Sequence, residues 1–312
     1  DMVAEINSDL LQNIERFNGR IVNQFHKYRS LRAWLPLASI ESIAQLKQVQ
    51  SLRPADEFML QMINTTEGDI AHGTDITRTD KMVDGSGVTT CAMSDSVDAL
   101  ASLQGSGDLP GGVFVLPGQD GVPGTSEGTA LLEIIFDIAP GSNLGFATGS
   151  GGQAQMAQNI LDLQAAGCDV IVDDVLYFAE PVFQDGIIAQ AVDTVNDQDV
   201  MYFSSAGNSG NFNDGTSGVF EGPYVGVAVP PPLMGNAISV QDFGGGQIFN
   251  TIESDSPFFF TLQWADPSNA STNDFDLFLF DPTMTNVIGA STNTQNGTQN
   301  PFEVLDSTVV DD

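Results

Sequence analysis

Ser126-Glu127-Gly128-Thr129-Ala130-Leu131-Leu132-Glu133-Ile134-Ile135-Phe136-Asp137-Ile138-Ala139-Pro140-Gly141 is the stretch on which the reading of this chain turns. Leu131, Ile134, Ile135 and Ile138 recur at i, i+3, i+4, i+7, which predicts a helix with one buried face, and Ala139-Pro140-Gly141 supplies the stop. Glu127 then stands at the mouth of that helix. A polar side chain followed by a small Gly-Thr pair, where the chain passes from the C-terminal edge of a sheet into a helix, is a common setting for reactive groups in α/β proteins.

Working outward, the flanks alternate strand and helix. Val88–Met93 reads as a buried strand running into Ser94-Asp95-Ser96-Val97-Asp98, and Gly112–Leu116 as a second. After the central helix come a strand at Asn143–Ala147 and a helix with Met156, Ile160 and Leu163 on one face. The strand Val170–Val172, a helix carrying Ile188, Ala191, Val192 and Val195, and the strand Val200–Phe203 follow. Near-continuous apolar strands between amphipathic helices predict a parallel sheet covered on both faces, an α/β domain over residues 87–243.

Residues 1–60 read as a small α+β unit. It has a helix from Met2 to Ile14, strands at Gly19–Phe25 and Leu31–Leu37, a helix over Ile40–Leu46 capped by Ser39, and a last strand at Val49–Arg53. Residues 61–86 read as a polar linker, and His72-Gly73-Thr74 within it as linker sequence, because no helix-period apolar run follows. From Gly244-Gly245-Gly246 the helix pattern stops. Phe258–Trp264, Phe275–Asp281 and Asn286–Gly289 are short strands between turn clusters, which predicts an all-β, sandwich-like unit over 244–312.

Charge divides the chain. All nine Lys and Arg and both histidines precede residue 82, with 11 acids among them; the remaining 30 of the 41 acids lie beyond it with no Lys or Arg at all. Those carboxylates must be solvated, hydrogen-bonded, metal-bound or faced by the basic N-terminal unit. A net charge of −32 argues against a nucleic-acid partner. No apolar run reaches membrane-span length, so no membrane partner is expected. The start at Asp1, without Met or an apolar leader, fits a trimmed sequence. Cys91 and Cys168 lie in apolar surroundings without CxxC spacing; two buried free thiols are the expectation, with a disulfide as the alternative. In the β unit Asp266, Asn269, Asn273, Asp274, Asp276 and Asp281 are hard-oxygen groups. Calcium held by Asp274 and Asp276 is one reading of them, and turn-forming Asx residues the other.

Three motifs, in order, resemble those of the subtilisin-like serine peptidases: Ser94-Asp95-Ser96-Val97-Asp98, Glu127-Gly128-Thr129 and Ser204-Ser205-Ala206-Gly207-Asn208-Ser209-Gly210. The resemblance implies an aspartate that orients the base at Asp95, with Ser94 on the strict alignment position. It implies the base at Glu127, where the family has His, and the oxyanion donor at Asn208. Asp174 falls where that family's substrate strand passes the nucleophile. Sedolisins, acidic relatives, also place Glu at the base position but change the oxyanion residue to Asp; here it is Asn208. Leu35 to Pro54 is similar to the propeptides of the family, which fold as ferredoxin-like α+β units and chaperone and inhibit the enzyme. No counterpart of the family's Gly-Thr-Ser-Ala nucleophile helix occurs; Gly215-Thr216-Ser217 runs into Gly218-Val219-Phe220 instead.

The resemblance therefore implies a secreted, extracellular peptidase relative acting on peptide or protein substrates, without hydrolysis by these 312 residues alone and without a required cofactor. A non-catalytic structural or adhesive subunit is the alternative, self-assembling as a homo-oligomer through a C-terminal strand from Phe302 to Val310.

Overall fold

The computed structural model describes residues 2–26, 29–52, 66–208, 210–235, 237–251 and 259–306. The chain divides into two compact units, Asp1–Gln61 and Met62–Asp312.

The first unit runs β1 (Met2–Ala4), α1 (Ser8–Arg16), β2 (Arg20–Phe25), β3 (Ser30–Trp34), α2 (Ile40–Ala44) and β4 (Val49–Leu52). Its strands pair antiparallel in the order β2-β3-β1-β4. Leu10 and Ile14 of α1 meet Leu31 and Ile43 in the core. The helix expected from Met2 begins only at Ser8. Met2 and Ala4 both face inward on a strand, and Asn7 caps the helix by accepting the Leu10 N–H at 3.0 Å. Ser39 does not cap α2 with its side chain: its hydroxyl donates to the Pro36 carbonyl at 2.7 Å, in a 3₁₀ turn over Leu37–Ser39. Arg53, expected at the end of β4, lies outside the described residues.

The second unit starts with α3 (Glu67–Ala71) and α4 (Thr74–Lys81) where the sequence predicts a linker. These helices have no apolar stripe, so periodicity does not reveal them. Arg78 forks onto Asp69 at 2.5 and 2.7 Å and also donates to the Ile138 carbonyl at 2.8 Å. The guanidinium hydrogen bond, then the Thr74 hydroxyl, holds the Asp69 carboxyl down at about 2.

Next come β5 (Thr89–Ser94), α5 (Leu100–Ser106), β6 (Phe114–Val115), α6 (Glu127–Ile138), β7 (Asn143–Thr148), α7 (Gln153–Ala165), β8 (Val170–Asp173), α8 (Ile187–Asn196) and β9 (Met201–Ser204). The five strands form one parallel sheet in the order β6-β7-β5-β8-β9, so all their C-terminal tips share one edge. Met93, Met156, Ile160, Leu163, Ile171 and Val195 belong to one core cluster, and Ala92, Leu132, Leu144 and Phe146 to another.

Two expectations change here. On α6 the buried stripe is Gly128, Thr129 and Leu132, and Ile134 is 43% exposed. The close seat of Gly128 against Phe146 sets the helix rotation, which apolar spacing alone does not report. Cys91 and Cys168 are bonded as a disulfide with their Cα atoms 6.0 Å apart. Cys91 lies on β5 opposite Ile171 of β8, and Cys168 shortly precedes β8. Only the strand register brings them together.

The chain continues through β10 (Gly226–Val227), β11 (Val240–Gln241), β12 (Phe259–Gln263), β13 (Leu277–Phe280), β14 (Val287–Ser291) and β15 (Phe302–Asp306). These form three two-stranded antiparallel sheets, β10-β11, β12-β15 and β13-β14. Phe258 and residues 307–310, expected at strand ends, lie outside the described residues. The strand expected to seek a neighbour's edge is paired with β12, from Phe259↔Asp306 to Gln263↔Phe302. Among the described residues no helix is long and apolar enough to cross a membrane.

Candidate active site

The tips of the parallel strands bring three carboxylates and a run of hydroxyls to one edge. At the end of β5, Ser94 is buried and its hydroxyl donates to Glu127 Oε2 at 3.1 Å. Asp95 points elsewhere: its carboxylate accepts from the backbone N–H of Ser96 at 2.6 Å, of Glu127 at 3.1 Å, and of Thr125. Burial works to raise its pKa, but the bonds from Thr125, Ser96 and Gly128 outweigh it and hold the carboxyl below the usual aspartate value.

Asp95 thus serves as the cap of α6, from one loop away. Ser126 holds the N-cap position but makes no capping bond; it sits at φ 63° in the left-handed region, a strained setting for a non-glycine residue. Its hydroxyl is taken by Asp98 and its N–H donates to the Ser96 hydroxyl at 3.2 Å. Asp98 also receives the Gly124 N–H at 3.2 Å. In a region with no cations, loop 95–98 neutralises itself on the N–H groups at the positive end of the helix.

Asp95→Ala therefore lowers stability by about 2 kcal/mol, the upper range for a lost helix cap, read as the midpoint of urea unfolding at pH 7. The depressed carboxyl contributes fully above the unfolded aspartate pKa of about 3.9 and loses that contribution as pH falls from there through its lower folded value, so the parent and variant draw together in strong acid. An equal midpoint at pH 7 removes the capping role.

Glu127 itself is exposed, at the first position of α6, with Ser94 beneath it. On the far side of β5, Asp173 ends β8. It is 6% exposed and accepts from the Ser204 hydroxyl at 3.0 Å and the Val175 N–H at 3.1 Å. Burial raises its pKa, and the charge of Asp174 adds to the rise. Asp174 is exposed, and its backbone N–H donates to the Met93 carbonyl at 3.3 Å. Asn208 is exposed in the loop after β9, and among the described residues nothing hydrogen-bonds its side chain. Ser217 lies in a non-helical segment, its hydroxyl donating to the Val219 carbonyl at 3.2 Å. His72 is exposed at the end of α3.

The loops that frame this edge are tied to each other. Tyr177 donates to the Gly149 carbonyl at 2.6 Å and accepts the Gly152 N–H at 3.0 Å. Asn159, 1% exposed on α7, donates to the Thr148 carbonyl at 2.7 Å and accepts from Gln119 at 3.2 Å. Gln263 of β12 holds the segment after β8 through the Phe178 and Glu180 carbonyls at 3.1 and 3.0 Å and the Val182 N–H at 3.2 Å.

Against known proteins, no family profile matches the chain, and no curated protein matches it. Among solved structures it is similar to a lanthipeptide protease, at 22% identity over 44% of this chain and 44% of that one, with a TM-score of 0.35. It is also similar to an epidermin leader peptide processing serine protease from Staphylococcus aureus, at 12% identity over 68% of this chain and 61% of that one, TM-score 0.33. The chain thus spans less than two thirds of either protein.

Asn159 and Asp173 are parts of this edge that the sequence does not single out. Asn159 carries a signal, a polar residue among Met156, Ile160 and Leu163 on a buried face. In the β unit, Asp266 accepts the Asn273 and Thr272 N–H groups at 2.8 and 2.9 Å and the Ser271 hydroxyl at 2.9 Å. Asp281 similarly accepts the Thr285 N–H at 3.0 Å and the Asn286 amide at 2.7 Å. Both are turn-forming Asx residues. Asp276 is different: burial, then the charges of Asp274 and Glu303, push its carboxyl up. Among the described residues no three His, Cys, Asp or Glu side chains converge as a metal-binding group.

Proposed function

We propose that this chain carries the frame of a subtilisin-like serine peptidase, with a peptide or protein as its substrate. One observation carries the reading: the Ser94 hydroxyl meets the Glu127 carboxylate at 3.1 Å, over the C-terminal edge of a parallel sheet whose next two tips are Asp173 and Ser204. The residue at the base position thus faces the residue on the strict alignment position of the first motif, while Asp95 secures the helix on which the base position rests. Asn208, four residues beyond β9, takes the part of oxyanion donor, and Asp174 stands beside the substrate path.

The N-terminal unit takes a propeptide-like role, since its β-α-β-β-α-β order and β2-β3-β1-β4 sheet match a ferredoxin-like arrangement. The location is extracellular, which the Cys91–Cys168 disulfide supports. A base and an oxyanion donor without an activated nucleophile do not complete acyl transfer, and Ser217 lies in no helix. The polypeptide of residues 1–312 is therefore non-hydrolytic by itself.

A fluorophosphonate probe applied to the purified polypeptide should leave it unlabelled. Labelling at any serine overturns the inactive state. The alternative, a structural or self-assembling subunit, is favoured by β9, which ends the sheet with Met201 and Phe203 each 56% exposed. Light scattering on the same preparation separates the two, since a concentration-independent monomer removes the self-assembling subunit.

A further inference from the structure

Two glutamines fasten the strap that follows β8, residues 174–186, to the β unit. Gln263, at the end of β12, donates to the Phe178 and Glu180 carbonyls at 3.1 and 3.0 Å and accepts the Val182 N–H at 3.2 Å. Gln184 answers from the strap, donating to the Asp266 carbonyl at 2.9 Å and accepting the Ser268 N–H at 2.9 Å. The Phe178 and Phe259 rings stack between the same two walls, their centroids 4.4 Å apart. Each glutamine spends both ends of its amide on the opposite wall, so the walls are fixed before anything binds between them.

A cleft of about 50 Å³ lies between these walls. Pro181, Val182 and Phe183 line it from the strap, and Trp264, Pro301 and Phe302 from the β unit. At roughly 10–15 Å³ for each water-sized group, that space admits about four heavy atoms, which is the side chain of a leucine and less than an aromatic ring. Two polar groups stand in the lining. Asn300 Oδ1 accepts the Asn269 N–H at 2.9 Å, while Asn300 Nδ2 and the Ser268 hydroxyl have no hydrogen-bond partner among the described residues. Both can meet the backbone of a guest. The charge is one-sided: Glu180 and Asp185 lie in the strap and Asp266 beside Trp264, and residues 82–312 contain no Lys, Arg or His. A guest entering here meets carboxylates from both walls, which selects against anions and for cations.

We infer that this cleft is a docking subsite for a cationic peptide, taking one leucine-sized aliphatic side chain between the strap and the β unit while flanking lysines or arginines face the acids of the walls. The choice of a peptide as guest rests on the peptidase reading; the shape and charge of the cleft do not. The β unit then has a task in recognition, because it supplies one wall of the subsite and fixes the other.

Trp264 gives the test its signal. In a Trp34→Phe background it is the sole tryptophan of the chain, and it lines the cleft. The probe is a capped pentapeptide with one leucine between two pairs of lysines, titrated into the 312-residue chain while Trp264 fluorescence is followed. The signal should saturate below about 1 mM peptide. The same peptide with alanine for leucine should bind at least about tenfold more weakly, since it buries fewer carbons, and the peptide with glutamates for the lysines should not bind. Ala179→Phe and Ser268→Leu, each filling the cleft from a different wall, should abolish the leucine preference. If neither variant folds, the comparison of leucine and alanine peptides on the unaltered cleft still decides. No fluorescence change with the leucine peptide up to about 1 mM, equal binding of the leucine and alanine peptides, or equal binding of the glutamate peptide each overturns the inference. So does a leucine preference that both folded variants retain. Such a failure removes the subsite and leaves the Ser94–Glu127 contact and the fluorophosphonate result where they stand, so the two readings fail separately.

Discussion

Replacing Cys91 and Cys168 together with alanine is expected to destabilise the second unit by about 4 kcal/mol, the loop-entropy value for a crosslink of this span, here 77 residues. For a unit of this size that corresponds to a fall in thermal midpoint of roughly 10 °C. The crosslinked loop contains α5, β6, α6, β7 and α7, so in the unfolded state the bond restrains most of the segment from which the site is made. Both cysteines are buried, at 0% and 3% exposure, and the bond joins the central strand β5 to the entry of β8. Those strands end in Ser94 and Asp173.

Reductant should reproduce the loss in the parent and do nothing to the double variant. That arm separates the crosslink from the cost of trimming two buried side chains. A midpoint shift in the double variant below about 2 °C, equivalent to less than 1 kcal/mol, would show that the bond does not restrain the unfolded chain.

The disulfide also marks the limit of what the linear chain discloses. Strands and helices between Val88 and Phe203 are legible because each buries a continuous apolar face, and apolar periodicity is a local property. Register is not local. The pairing of Cys91 opposite Ile171 follows from how β5 and β8 slide against each other, and nothing within either segment encodes it. The same holds for Ser94 and Asp95: adjacent residues at a strand tip point to opposite sides, so which one meets Glu127 depends on the phase of the strand. The helices α3 and α4 are hidden for another reason. They are held by Arg78, which bridges Asp69 to the end of α6, and an ion pair leaves no hydrophobic period behind. In the β unit, the even scatter of Asp and Asn makes turn formers and cation ligands look alike. Only hydrogen-bond accounting shows that the oxygens of Asp266 and Asp281 are met by backbone N–H groups, as turn formers are.

Gly128→Ala tests the joint between the fold and the site. A Cβ built on Gly128 would lie 2.3 Å from Phe146 Cε2 and 2.7 Å from the Ser96 carbonyl oxygen. Phe146 is fully buried and cannot swing aside without opening the core cluster around Leu132 and Leu144. The Ser96 carbonyl belongs to the loop whose Asp95 caps α6 and whose Asp98 holds the Ser126 hydroxyl just before it. With one neighbour immobile and the other structural, the helix must lift. Overpacking of this kind costs about 3 kcal/mol, the upper part of the usual range.

Gly105→Ala supplies the control. It is also a helical glycine, in α5, with nothing within 4 Å of the point where an alanine Cβ would stand, and alanine there should be neutral or stabilising by up to about 1 kcal/mol. The measurement is denaturant unfolding of the full chain followed by Trp264 fluorescence in a Trp34→Phe background, Trp34 being 65% exposed. The two alanine variants should differ by about 3 to 4 kcal/mol, the sum of those two effects. If they unfold within about 0.5 kcal/mol of each other, the ordinary spread of neutral substitutions, α6 is not seated as described. Ser94 and Glu127 then lose the contact on which the peptidase reading rests, because the first residue of that helix is Glu127 and Gly128 is the contact that sets its height above β5.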